Sequence, residues 1–245
     1  MLKRYAMVTL ALVMTAAVGW QAYGWLYPVP SNLKLVFHAR VGDDAFQRNA
    51  FVYQNPGGDG QFRINDFRFF LTNVRLTDGD GQTVTIPDSY HLARFDNAEA
   101  AYTLQFDELT IDDLQNISFA VGVDAKTNHS IQSRGDLDPN SQMAWNWEVG
   151  YKFIVFEGNL QVGDRRKPLV YHVGFSDNLR RFSFNPGEPM DLQASSQVDF
   201  DVDVMKLFDS RNRLDMAEIS SVKFNKTDAR MLADNYGTMI TMRQP

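Results

Sequence analysis

The sequence predicts an all-β fold: a single antiparallel β-sandwich-like domain with a short C-terminal helix. The 18 Phe and 9 Tyr residues favour sheets, because flat aromatic side chains suit a pleated, half-buried surface. Segments of alternating hydrophobicity recur, with turn residues between them at short intervals, as in sandwiches and barrels. The 245 residues, of which 44% are hydrophobic, are enough for one sizeable core. No internal repeat or low-complexity linker interrupts residues 31–245, so they are predicted to form one domain.

The individual strands are predicted from period-two alternation. In residues 33–41, Leu33, Leu35 and Phe37 alternate with more polar positions. A second strand, residues 67–76, turns through the Asp-Gly-Asp-Gly sequence at 78–81 into residues 83–86, which predicts a hairpin. The same pattern predicts further strands at residues 90–95, 102–106, 117–123, 151–160, 169–175 and 198–204.

A single helix is predicted near the C-terminus, over residues 226–242. This segment lacks proline and is rich in good helix formers. Its apolar face comprises Ala229, Leu232, Ala233 and Tyr236, and this face is predicted to pack on the sheets.

The N-terminus has the pattern of an export signal. Lys3 and Arg4 precede an apolar run over residues 6–18. Residues 1–26 are predicted to be either a cleaved signal peptide or a retained anchor, with residues 6–26 in the inner membrane. Both alternatives predict an exported, periplasmic domain. The chain has no cysteine, so its stability cannot depend on disulfides.

Composition and motifs argue against several functions. The net charge of −6, without a basic block, argues against nucleic acid as a partner. The chain lacks the G-x-S-x-G, phosphate-loop and H-E-x-x-H motifs, so we expect no enzyme activity.

Four histidines are the candidate metal ligands. His38 and His172 lie in the middle of predicted strands, where two rigid positions can present imidazoles to one copper or zinc ion. The alternative for each is an ordinary solvated or hydrogen-bonded side chain. His91 opens a strand and is a third possible donor, whereas His129 is predicted to be a surface loop residue.

Two further patterns allow a structural and a functional interpretation. Asp136 and Asp138 have the alternate spacing of a calcium loop but lack its glycine and its downstream glutamate, so a structural turn is favoured. Trp145 and Trp147 are two residues apart on a predicted strand and share a face, a pattern typical of a protein core.

An ordered set of sequence blocks resembles the MbnP-like domain, found in periplasmic copper-binding proteins of metallo-mystery pairs. The resemblance covers about residues 33–240. Its blocks are LVFH at 35–38, VG at 41–42, DFRFFLTNVRL at 66–76, FAVGVD at 119–124, LDP at 137–139, MAWNWEVGYKF at 143–153 and YHVG at 171–174.

This resemblance implies an exported β-sandwich-like protein that binds copper. It also implies a partner, a MauG-like di-haem cytochrome peroxidase family protein, which oxidises a tryptophan to kynurenine in relatives. His172 matches the family's apolar-His-apolar-Gly block and His38 the first-strand block, so both are expected as ligands. Trp145 and Trp147 match the W-x-W-x-x-G-Y block, and Met143 is the candidate soft donor beside them.

The chain departs from the family pattern in two respects. Many relatives have four cysteines, and some have a tryptophan two residues before a histidine; neither feature occurs here. Two functional hypotheses therefore stand. The first is an exported copper-binding protein with a di-haem cytochrome partner. The second is a cell-envelope β-sandwich interaction module that binds no metal.

Overall fold

The computed structural model describes residues 30–130, 132–146, 149–194 and 197–244. The predicted signal peptide or anchor at residues 1–26 lies outside these residues, as does Trp147. Within the described part of the chain, no helix is long and apolar enough to span a membrane.

The described chain consists mainly of strands, in agreement with the predicted fold class. In chain order the strands are β1 (Ser31–Val41), β2 (Asp44–Ala45), β3 (Tyr53–Gln54), β4 (Gln61–Thr77), β5 (Thr83–Thr85), β6 (Tyr90–Arg94), β7 (Ala101–Leu109), β8 (Asp113–Leu114), β9 (Asn116–Val121), β10 (Ala144–Asn146), β11 (Gly150–Val162), β12 (Arg165–Gly174), β13 (Arg180–Phe184), β14 (Met190–Asp191), β15 (Gln197–Asp203), β16 (Ser221–Val222) and β17 (Ile240–Met242). The α-helices are α1 (Ala125–Asn128) and α2 (Lys226–Tyr236), and short 3-10 helices lie at Pro139–Ser141, Ser176–Asn178 and Val204–Leu207.

Two sheets form the sandwich. The smaller has the order β17-β15-β1-β2, with β7 also paired to β1. The larger has the order β13-β9-β4-β11-β12-β16, and β3, β5, β6 and β10 pair with its central strands. Pairing is antiparallel except for β1 with β15 and β12 with β16, which are parallel. The predicted sandwich is therefore confirmed, with two parallel pairs that local alternation could not reveal.

The main core lies between the sheets and is rich in phenylalanine. Phe37 of β1 stacks on Phe200 of β15 at 4.9 Å between ring centroids, and both rings contact Phe119 of the larger sheet. All three side chains are at most 2% exposed. Since burial of one such side chain contributes roughly 1.5–3 kcal/mol, these contacts are a major stabilising element of the sandwich.

A second apolar cluster lies on the opposite, outer face of the larger sheet. We call it the outer cluster; its buried members are Phe70, Tyr90, Leu92, Val123, Leu137, Met143, Tyr151, Phe153 and Val155. The segment that contains Leu137 and Met143 covers this part of the sheet. β4 and β11 consequently have apolar side chains on both faces, which explains why residues 69–71 and 153–156 read as continuous apolar runs.

The C-terminal helix is confirmed, but its predicted end at residue 242 is wrong. The side chain of Asn225 accepts hydrogen bonds from the amides of Thr227 and Asp228, which fixes the start of α2. The helix ends at Tyr236, and Ile240–Met242 form β17 against β15. Pairing with an open strand edge therefore outweighs the helix propensity of these last residues.

Candidate metal centre

His172 lies on the outer face of the larger sheet. Its neighbours Tyr171 and Val173 point into the main core, so alternation along β12 turns the imidazole away from that core. His172 is nonetheless only 9% exposed. Its Nε2 atom lies 2.8 Å from Oε1 of Glu157 on the adjacent strand β11.

The surroundings of His172 favour its neutral form. Burial lowers the pKa of the imidazole, and the hydrogen bond to Glu157 raises it by a smaller amount. The ammonium groups of Lys152 and Lys223 lower the pKa further. A neutral imidazole whose orientation is fixed by a carboxylate is the arrangement that metal-binding histidines use.

Trp145 lies beside His172 on the same face. A Cβ atom at Gly174 would collide with the Trp145 indole, so the ring lies directly over Gly174. Gly174 follows His172 by two residues, and such residues share a face of a strand, roughly 7 Å apart. The structure therefore brings Trp145 and His172 together, although 26 residues separate them in the sequence.

The indole also belongs to an aromatic group at the surface. Its ring centroid lies 5.7 Å from that of Phe175 and 5.3 Å from that of Phe224. Phe224 is 60% exposed, and the ammonium of Lys226 lies 5.5 Å from the centre of the Phe175 ring. Trp145 itself is half-buried, so one side of the group is accessible to a partner.

Met143 lies on this face too, but it is fully buried in the outer cluster. Val155, another member of that cluster, is the register partner of His172. Met143 is thus near the candidate centre and packs as a core residue. Its proposed role as a thioether donor stays a prediction, and Trp147 lies outside the described residues.

His38 lies on the outer face of the smaller sheet, because its neighbour Phe37 points into the main core. Its Nε2 atom lies 2.6 Å from Oδ1 of Asp199 on β15. Burial alone would raise the pKa of Asp199, but hydrogen bonds from Gln197 and His38 lower it. The pair is therefore an ionised carboxylate bound to an imidazole at the protein surface.

The structure does not bring His38 and His172 together. The two imidazoles point away from the shared core on opposite sides of the sandwich, whose sheets pack roughly 10 Å apart. A single ion cannot contact both, and each has its own carboxylate partner. A role for either histidine in a separate metal site stays a prediction. Among the described residues, no group of three or more His, Asp or Glu could hold an ion.

His91 has an unusual environment that its sequence context did not reveal. Its neighbours Tyr90 and Leu92 belong to the outer cluster, so alternation along β6 directs the imidazole to the other face. There its Nε2 atom is buried without a hydrogen-bond partner, and its ring meets Phe106 edge to face at 6.3 Å. Burial lowers the pKa of His91, and the charge of Asp136 raises it by a smaller amount.

The two candidate calcium ligands form structural turns. Oδ2 of Asp136 accepts a hydrogen bond from the amide of Leu92 at 2.8 Å. Oδ1 of Asp138 accepts one from the amide of Asn140 at 2.8 Å and caps a 3-10 helix. Each side chain thus has a backbone partner, as the favoured alternative predicted. His129 is exposed at the end of α1, also as predicted.

Comparison with known proteins agrees with the resemblance seen in the sequence. The profile of the MbnP family matches residues 30–227 of this chain. Among solved structures, MbnP from Methylosinus trichosporium matches with a TM-score of 0.56 and 19% sequence identity, over 76% of this chain and 80% of that one. No curated protein matches the chain. The family match covers most of the sequence, and the chain therefore belongs to the MbnP family.

Proposed function

We propose that this chain is an exported, non-enzymatic copper-binding protein whose metal centre is built around His172 and Trp145. Membership of the MbnP family supports a copper-related function. The observation that carries the assignment to these residues is the position of the indole over Gly174, on the face that bears His172. A neutral imidazole and an aromatic ring that can be modified lie side by side.

The imidazole of His172 is a suitable copper donor, but it is not sufficient alone. Imidazole nitrogen is a good donor for copper, and its burial disfavours the proton that competes with the metal. With Nε2 bound to Glu157, Nδ1 is the nitrogen available for a metal. One imidazole is too few donors for a stable site, so the centre needs further donors beside it.

Oxidation of Trp145 would supply such donors. Two equivalents of peroxide would cleave the indole C2–C3 bond and leave one oxygen atom on each carbon, and hydrolysis would then release C2 as formate. The kynurenine that remains has an aromatic amine and a ketone oxygen next to His172. We propose that a MauG-like di-haem cytochrome carries out this oxidation in the periplasm. The half-exposed aromatic group of Trp145, Phe175 and Phe224 is the surface at which such a partner can approach the indole.

The decisive experiment is to measure the copper content of the protein purified from copper-replete cells of its native host. The wild type is compared with His172→Ala and with His38→Ala, which alters the matched histidine–carboxylate pair on the opposite sheet. We expect near-stoichiometric copper in the wild type and in His38→Ala, and at least a tenfold loss in His172→Ala. Full retention of copper by His172→Ala would refute this centre.

Peptide mass spectrometry of the same samples tests the modification. We expect kynurenine in the peptide that contains Trp145 and Trp147, and its absence after Trp145→Phe or after deletion of the cytochrome gene. An unmodified peptide in copper-loaded protein would show that binding does not need the oxidised ring.

The exposed Phe224 also favours the second candidate, an envelope interaction module without a metal. This alternative predicts copper-free wild-type protein, together with loss of a stable partner complex after Phe224→Ser. Copper bound at His172 would contradict it.

A further inference from the structure

A depression on the outer face of the larger sheet lies away from the His172–Trp145 centre. It has a volume of about 290 Å³ and lies over strands β4, β9 and β13. Its floor includes two small residues of β9, Ser118 and Ala120, and its lining includes Arg75 of β4 and Arg181 of the edge strand β13. Asn73 and Asp124 complete the polar lining.

Strand register directs both arginines to the same space. Arg75 is paired with Ser118, and Arg181 with Ala120, so all four side chains project from one face of the sheet. β9 lies between the two arginine-bearing strands, and the two arginines are also offset by two residues along it, which places their backbones roughly 12 Å apart. Two long side chains at this separation can close over the small residues between them.

Neither guanidinium has a hydrogen-bond or ion-pair partner among the described residues, and both arginines are exposed. Other arginines of this acidic protein do find carboxylates: Arg180 binds Asp234 at 2.6 Å and Arg243 binds Asp201 at 2.6 Å. Two guanidiniums without a carboxylate partner therefore line one depression, together with a single carboxylate, that of Asp124.

The one carboxylate in the depression is already engaged. Oδ2 of Asp124 accepts a hydrogen bond from the Tyr90 hydroxyl at 2.7 Å, and Oδ1 accepts one from the amide of Thr127 at 3.1 Å. Burial raises the pKa of Asp124, but these hydrogen bonds lower it by more, so the carboxylate stays ionised. Its bonds hold it at one end of the depression, and an incoming anion is favoured at the arginine end.

We propose that this depression binds the oxyanion group of a small ligand, a carboxylate or a phosphate, between Arg75 and Arg181. The planar guanidinium fork matches both groups and can bind either with two parallel hydrogen bonds. The Ser118 hydroxyl on the floor supplies a further donor. The site is independent of copper and of the proposed function.

The test is an NMR titration of the folded protein at constant ionic strength, with inorganic phosphate in one series and acetate in another. We expect saturable shifts of the amide signals of Ser118, Ala120 and Gly122. Arg75→Ala and Arg181→Ala should each weaken binding at least fivefold. The matched control is Arg211→Ala, because Arg211 is also exposed but lies away from the depression; it should leave binding unchanged.

Two results would overturn the proposal: the absence of saturable shifts at these amides with either anion, or an equal loss of binding in Arg211→Ala, which would indicate unspecific charge attraction. Binding of phosphate alone or of acetate alone would support the site and identify the oxyanion that it prefers. Arg75→Lys and Arg181→Lys keep the charge but lose the fork, so a loss of binding in these variants supports bidentate recognition. Because both arginines are exposed, the variants should unfold like the wild type.

Discussion

The indole ring of Trp145 occupies the space that a side chain at position 174 would need. Gly174 lies on β12, two residues after His172, and its missing Cβ lets the ring approach the strand closely. This close approach joins the W-x-W block and the YHVG block of the sequence into one surface. It also explains in physical terms why a glycine follows the histidine at this distance.

Substitution of Gly174 by alanine should displace the indole and destabilise the domain. An added methyl group would overlap the ring and the carbonyl oxygen of Tyr151, and overpacking of this kind costs about 1–3 kcal/mol. Urea unfolding followed by tryptophan fluorescence measures the free energy and the change in the ring's environment. The control is Gly237→Ala, where a Cβ would meet neighbours only at ordinary contact distances of 3.5 Å or more. Equal stability of Gly174→Ala and the wild type would refute the packing described here.

The carboxylate of Glu157 should matter for copper affinity more than that of Asp199. Both bind a histidine Nε2 atom, but only Glu157 supports the imidazole beside Trp145. Loss of a carboxylate that orients a ligand typically lowers metal affinity 10- to 100-fold. We expect this range for Glu157→Gln, and less than a twofold change for Asp199→Asn, in competition titrations with a Cu(I) chelator. A reversed order would move the centre to His38.

Strands such as β1 were predictable because one of their faces packs on the main core while the other is more exposed, and period-two alternation records this difference. The hairpin was predictable from its turn: the Asp78 side chain accepts a hydrogen bond from the amide of Gln82, and β4 pairs with β5 as expected. The end of α2 was not predictable, since Ile240–Met242 suit both a helix and a strand. Only the free edge of β15, distant in sequence, decides between them.

The outward direction of the two strand histidines was predictable, but their position relative to each other was not. Alternation already places Phe37 and Tyr171 in the core, which directs His38 and His172 outward. Alternation does not show that the two strands belong to different sheets, because sheet membership depends on pairing between distant segments. The contact of Trp145 with Gly174 likewise depends on the pairing of β10 and β12 with β11. The unpartnered nitrogen of His91 has no local sequence signal at all.

Asn235 should be essential for the packing of α2. Its side chain is fully buried, donates hydrogen bonds to the carbonyl oxygens of Leu207 and Asn212 and accepts one from the Asn212 amide. Asn235→Ala removes these three hydrogen bonds from a fully buried side chain, so we expect a loss of about 2–4 kcal/mol in urea unfolding. Arg230→Ala on the same helix removes only an exposed ion pair with Asp234 and should change stability by less than about 0.5 kcal/mol.

Stability should fall as the pH is lowered through the imidazole range. Burial lowers the pKa values of His91 and His172 in the folded protein, so below about pH 6.5 the unfolded chain binds protons that the folded chain does not. The stabilisation is therefore complete above pH 6.5 and is lost progressively in acid. Urea unfolding at pH values on either side of 6.5 measures this loss.

The variant His91→Leu isolates the contribution of the His91 imidazole to the pH dependence of stability. It removes a buried nitrogen that has no hydrogen-bond partner and keeps an apolar side chain against Phe106. We therefore expect stability at neutral pH to be unchanged or raised by about 1 kcal/mol, and the loss of stability in acid to be smaller than in the wild type. A steeper acid dependence in this variant would mean that His91 gains protons on folding, contrary to its buried position. His129→Leu, at an exposed position, is the control for the replacement of an imidazole by an apolar side chain.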